Sequence, residues 1–179
     1  MPGSSAGSLT MVNIDIVDSY VNLVDVDLKD VTISNVDASM STATSNSGVS
    51  LASSHASGAT AVVSDFSAPD YDHGWIYAAG QVSLTNVDFG ASSSYYDIKP
   101  FGGGSSPGAS GANAVFDTVS AGNLYVHRTA PSTFKDVTAT GSIWFQEVGI
   151  HSQLIEVEGA SAGHELVVLG AGSNMKFAD

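Results

Sequence analysis

The chain has 179 residues and a mass of 18.2 kDa, enough for one domain with a sizeable core. Only 13% of residues are charged, and 18 acids against 5 bases leave a formal net charge of −13, which argues against nucleic-acid partners. No apolar run approaches the roughly 18 residues that span a bilayer, so membrane insertion is not expected, and the absence of cysteine removes disulfides, thiolate catalysis and cysteine-bound zinc.

In chain order, residues 1–10 read as an artificial leader or a disordered stretch, since Met1-Pro2-Gly3-Ser4-Ser5 has neither the basic nor the apolar part of a signal peptide. Residues 11–30 alternate as Met11-Val12-Asn13-Ile14-Asp15 and Val21-Asn22-Leu23-Val24-Asp25, which suits a first coil or an N-terminal cap. From residue 31 one phrase recurs to the end. It appears as Val31-Thr32-Ile33-Ser34-Asn35-Val36-Asp37-Ala38, as Ala61-Val62-Val63-Ser64-Asp65-Phe66 and as Val82-Ser83-Leu84-Thr85-Asn86-Val87. It continues as Ala114-Val115-Phe116-Asp117-Thr118-Val119, Thr133-Phe134-Lys135-Asp136-Val137 and Leu154-Ile155-Glu156-Val157. The spacing is about 20 residues, stretching to about 30 where Ser/Gly/Ala-rich loops are inserted. The last residues, Asn174 to Asp179, look like a strand just beginning, which predicts further coils beyond them.

Each unit carries a second short strand: Val49-Ser50-Leu51, Trp75-Ile76-Tyr77, Tyr96-Asp97-Ile98, Leu124-Tyr125-Val126, Ile143-Trp144-Phe145 and Leu166-Val167-Val168. No helical periodicity survives beyond ten residues. Units that repeat in type and phase, without Asn-Gly or Asp-Gly hairpin turns, favour a stacked solenoid over an antiparallel sandwich or barrel. The fold class read from the chain is therefore all-β, a right-handed parallel β-helix with coils of about 20 residues and loop insertions. These coils resemble those of right-handed parallel β-helix proteins, a superfamily that includes pectate lyases, phage tailspikes and large microbial surface proteins. The resemblance implies the fold and an extracellular or cell-surface location. The lyase machinery of that group, an acidic calcium cluster beside an Arg or Lys base, has no recognisable counterpart here.

Alternation assigns faces. Ile33, Val63, Leu84, Phe116, Phe134 and Leu154 are expected to stack inward as one ladder, and Val36, Phe66, Val87, Val119, Val137 and Val157 as a second. Between them lie Asn35, Asp65, Asn86, Thr118, Asp136 and Glu156, one per coil. That column reads either as oxygen ligands for calcium or as turn chemistry, and interruption of the acids by Asn and Thr favours the turn. On the second strand, residues flanking the inward ones face out. Asp97, Lys99, Tyr125, His127, Trp144 and Gln146, bordered by Arg128, then form a patch of rings and polar groups suited to polysaccharide or a cell-surface glycan. Lys135 is expected beside the same face.

Two insertions carry further chemistry. Ala68-Pro69-Asp70-Tyr71-Asp72-His73-Gly74 offers Asp70 and Asp72 as calcium ligands, or an ordinary turn. Phe101 to Ala112 is a Gly/Ser-rich excursion beside Lys99 that would cover the patch as a lid. The five histidines show no metal-binding spacing, and no nucleophile elbow occurs. The functional expectation is a structural or adhesive extracellular module that binds glycan through one side face, with open solenoid ends that favour end-to-end self-association. The alternative is a polysaccharide lyase or glycoside hydrolase in which Asp97 with Lys99 or His127 performs acid–base work.

Overall fold

The structure is a computed structural model that describes residues 7–17, 21–23, 28–39, 48–52, 60–69, 73–78, 80–90, 95–100, 113–127, 132–146, 155–169 and 175–178. Its strands alternate between two parallel sheets. The larger sheet is built from the recurring phrase: β1 (Gly7–Val17), β3 (Leu28–Ser39), β5 (Thr60–Ser67), β7 (Gln81–Asp88), β9 (Asn113–Ala121), β11 (Ser132–Ala139), β13 (Ile155–Glu158) and β16 (Met175–Ala178), in that order, with β14 (Ser161–Ala162) also on β11. The second short strands form the seven-stranded sheet. They are β2 (Val21–Leu23), β4 (Gly48–Ala52), β6 (His73–Ala78), β8 (Tyr95–Pro100), β10 (Asn123–His127), β12 (Ile143–Gln146) and β15 (Leu166–Leu169). Each strand pairs in parallel with the equivalent strand one coil away, which is the arrangement of a β-solenoid, and the described residues contain no helix.

The alternation predicted for the long strands holds, with one twist. In β3, Val31 and Ile33 are buried, and so are Val36 and Ala38, so the inward parity shifts between residues 33 and 36. The shift occurs at Asn35, whose φ is +51°. Equivalent residues in the other coils share this left-handed backbone: Asn13 at +56°, Asp65 at +48°, Asn86 at +52°, Thr118 at +59° and Asp136 at +49°. A left-handed residue turns the strand through a corner and lets both halves keep their apolar side chains inside. Asn and Asp tolerate this conformation best among residues with a Cβ, which explains their recurrence at one position per coil. The column is therefore the turn chemistry that interruption by Asn and Thr suggested. It is also stitched between coils, since Asn35 Nδ2 donates to Asn13 Oδ1 and Asn86 Nδ2 donates to Asp65 Oδ1, each at 2.7 Å.

Burial follows from the register. Ile33, Val63, Leu84, Phe116 and Phe134 are paired in sequence and lie inside, as do Val36, Phe66, Val87, Val119 and Val137. The core is thickened by rings. Phe134 packs edge-on against Phe116 at 5.0 Å and against Phe145 of the opposite sheet at 4.8 Å, so it joins the two sheets.

The last coils correct the sequence reading. Val157 pairs with Phe134 and belongs to the first ladder, not the second, and Glu156 faces Thr133 and not Asp136. The corner of this coil falls on Gly159 at φ +64°, and Ala160 fills the inward place that had been assigned to Val157. A left-handed corner selects for Gly over Glu, and Leu154-Ile155-Glu156-Val157 mimicked the phrase three residues early. Leu154 itself lies outside the described residues.

Candidate functional site

The seven-stranded sheet has one face in the core and one outside. Ile76, Leu124, Val126, Ile143 and Phe145 are buried, and the strand neighbours Tyr125, His127, Trp144 and Gln146 are half-buried on the other face. Parallel pairing then stacks those neighbours at one step per coil. The central column runs Ser50, Trp75, Asp97, Tyr125, Trp144 and Val167. Two residues further along the strands, Tyr77 pairs with Lys99, and His127 pairs with Gln146, which pairs with Leu169. Two residues earlier, His73, Tyr95 and Asn123 stand in line.

Of the predicted patch, Tyr125, His127, Trp144 and Gln146 fall on this face, and the backbone of Asp97 is in register with Tyr125 while Lys99 lies two positions further along the same strand. Arg128, Asp70, Asp72 and the stretch 101–112 lie outside the described residues. Lys135 belongs elsewhere. It sits in β11 of the nine-stranded sheet, with its Nζ 4.0 Å from Asp117 and 3.9 Å from Asp136, an exposed contact between neighbouring acids and not a border of the ring-bearing face. The predicted patch starts at Asp97, and the backbone register extends the same rows to Trp75 and Tyr77. The signal was present in the alternation around Ile76, which is fully buried.

The best-defined part of the face is its ring pair. Tyr125 and Trp144 are in register, half-buried, with ring centroids 5.4 Å apart and planes inclined by 34°. An indole N–H can only donate. Trp144 Nε1 is nevertheless buried with no acceptor, a state that costs free energy unless something else supplies an oxygen. The neighbouring Gln146 offers both a donor and an acceptor beside the ring pair.

Other chemistries find less to work with. Among the described residues no group of three or more His, Asp or Glu is placed to hold a metal ion, and no helix is long and apolar enough to cross a membrane. Among the described strand positions of this face, Asp97 is flanked in its column by Trp75 and Tyr125, without a second carboxylate in register. Comparison with protein-family models, with curated proteins and with solved structures returns no significant match, so the reading of this face rests on its own geometry.

Proposed function

We propose that this chain is a structural, adhesive segment of an extracellular protein, a stiff solenoid that holds glycan on the outer face of its seven-stranded sheet. The observation that carries the reading is the Tyr125–Trp144 pair with its unsatisfied indole N–H. Two adjacent rings offer flat apolar surface to the C–H faces of pyranose units, and the N–H asks for a hydroxyl oxygen. His127 and Gln146 supply hydrogen-bonding groups beside it, and Asp97 and Lys99 belong to the neighbouring strand. A row of residues that differs at every coil is suited to a polymer whose units need different contacts along its length. Binding is favoured over bond cleavage because general acid–base hydrolysis needs two cooperating carboxyl groups, and the register brings only Asp97 to this row. The likeness of the coils to those of right-handed parallel β-helix surface proteins, and the low Lys and Arg content, support an extracellular setting.

The test is retention on a panel of immobilised neutral and acidic polysaccharides, with products analysed for cleavage. Wild-type protein is expected to be retained intact on at least one. Trp144→Ala should weaken retention roughly tenfold or more, and Trp144→Phe, which keeps a ring but loses the N–H, should fall between. Thermal unfolding of each variant separates lost binding from lost fold. No retention on any glycan, unchanged retention of Trp144→Ala, or release of shortened chains would overturn the proposal.

A further inference from the structure

A second concave site lies at the corner where the nine-stranded sheet hands over to the seven-stranded one, and it owes nothing to the aromatic face. The corners differ in length along the solenoid. Six residues separate β7 from β8, whereas Gly122 alone separates β9 from β10, and Thr140 to Ser142 separate β11 from β12. Pro69 and Gly90, which follow β5 and β7, stand beside the tight corners of the later coils. Between them lies a cavity of about 490 Å³. That volume is within the usual range for small-molecule sites.

Its lining is chemically consistent. Ser120, Thr138 and Ser161 are in register on successive coils, so their hydroxyls form a short rank along the solenoid, and Thr140 adds a fourth. Asp88 is the one charged group in the lining, and its carboxylate is held in place. Oδ1 accepts both the Gly90 backbone N–H at 3.0 Å and the Ser120 hydroxyl at 2.7 Å. Among the described residues Oδ2 has no partner, and neither do the hydroxyls of Thr138 and Ser161. The floor is fixed by hydrogen bonds between coils, from Thr140 N to Ala121 O at 3.1 Å and from Gly163 N to Ala139 O at 2.9 Å. The exposed ring of Pro69 gives it apolar surface, while Ala121 and Ala139 turn their methyl groups into the core beneath it. Gly90 is fitted to this place: its φ is +82°, and a Cβ there would collide with the carbonyl of Pro69.

We infer that this cavity binds a neutral saccharide of one or two rings. The rank of hydroxyls and the free carboxylate oxygen match a ligand rich in O–H donors and acceptors, and the Pro69 ring matches its C–H groups. Among the described residues no Lys, Arg or His lines the cavity, and Asp88 repels anions, which favours neutral sugars over phosphorylated sugars and uronic acids. Asp88 is also the one carboxylate among the described lining residues, where calcium prefers several.

The experiment is saturation-transfer NMR and titration of the full chain with glucose, galactose, mannose, N-acetylglucosamine and their disaccharides, with glucuronic acid as the anionic control. Wild-type protein should bind at least one neutral sugar and not glucuronic acid. Thr138→Val keeps the shape and removes a hydroxyl, and should weaken binding about three- to tenfold. Thr138→Phe places a ring from an exposed position into the cavity and should abolish binding while leaving the melting temperature near that of wild type. Trp144→Ala should leave this binding intact, which separates the corner cavity from the aromatic face. Failure of wild type to bind any neutral sugar, equal binding of glucuronic acid, or unchanged binding by Thr138→Phe would overturn the inference.

Discussion

The corner column of the nine-stranded sheet and the central column of the seven-stranded sheet are built by the same stacking but under opposite rules. At the corner, Asn13, Asn35, Asp65, Asn86, Thr118, Asp136 and Gly159 all solve one conformational problem, a left-handed backbone at φ between +48° and +64°. Residue identity changes, yet the physical demand does not. In the central register of the seven-stranded sheet Ser50, Trp75, Asp97, Tyr125, Trp144 and Val167 follow one another with no shared property at all. A solenoid needs sameness where coils support one another. Where neighbouring coils depart from one another without structural need, the departure points to something outside the chain.

The contrast can be attacked in three ways. The largest effect is expected inside, where both columns depend on one core. Phe134→Ala removes the ring that contacts Phe116 and Phe145 and so unlinks the sheets. It should cost about 3–5 kcal/mol in urea unfolding. A loss below about 1 kcal/mol would mean that the two sheets are held together elsewhere.

The corner column comes next, because its rule predicts opposite signs at two positions. Gly159→Ala puts a Cβ within 2.5 Å of Asp136 Oδ1 at a positive φ and should destabilise by about 1–3 kcal/mol. Thr118→Asn replaces a β-branched residue at φ +59° with one that tolerates it, and should stabilise by up to about 1 kcal/mol. Neither substitution should alter glycan retention. Equal signs at the two positions would remove the conformational account of the column.

The smallest effect is expected at Lys135. It is the basic residue that sequence position alone had put beside the aromatic face, and its contacts to Asp117 and Asp136 are exposed. Lys135→Met should change stability by no more than about 0.5 kcal/mol and leave glycan retention as it was. A marked loss of retention would tie the nine-stranded face to ligand after all.

Most of the fold was legible because its signals are local and repeated. Short alternating runs gave both sets of strands, and one Asn, Asp or Thr per unit marked the corner. The reading slipped where a unit departed from the phrase: Glu156 was aligned with Asp136 because an apolar run preceded it, whereas backbone geometry favoured Gly159. The aromatic face was legible over three coils and cut short at Trp75 and Tyr77, since linking them needs the register across a loop insertion. The corner cavity was not legible at all. Its lining comes from consecutive coils, and no single unit contains it.

The parity shift at Asn35 also governs which changes in chain length the architecture can absorb. Val31 and Ile33 point inward, and beyond the corner so do Val36 and Ala38. Delete Asn35 and the same apolar residues fall into plain alternation, which describes a straight strand and no longer a closed coil. The corner residue thus sets a reading frame in three dimensions, where substitution alters stability but only deletion changes the shape. Indel freedom is displaced to the connections between sheets, such as the stretch from Pro100 to Asn113, and grafted peptides should be placed there.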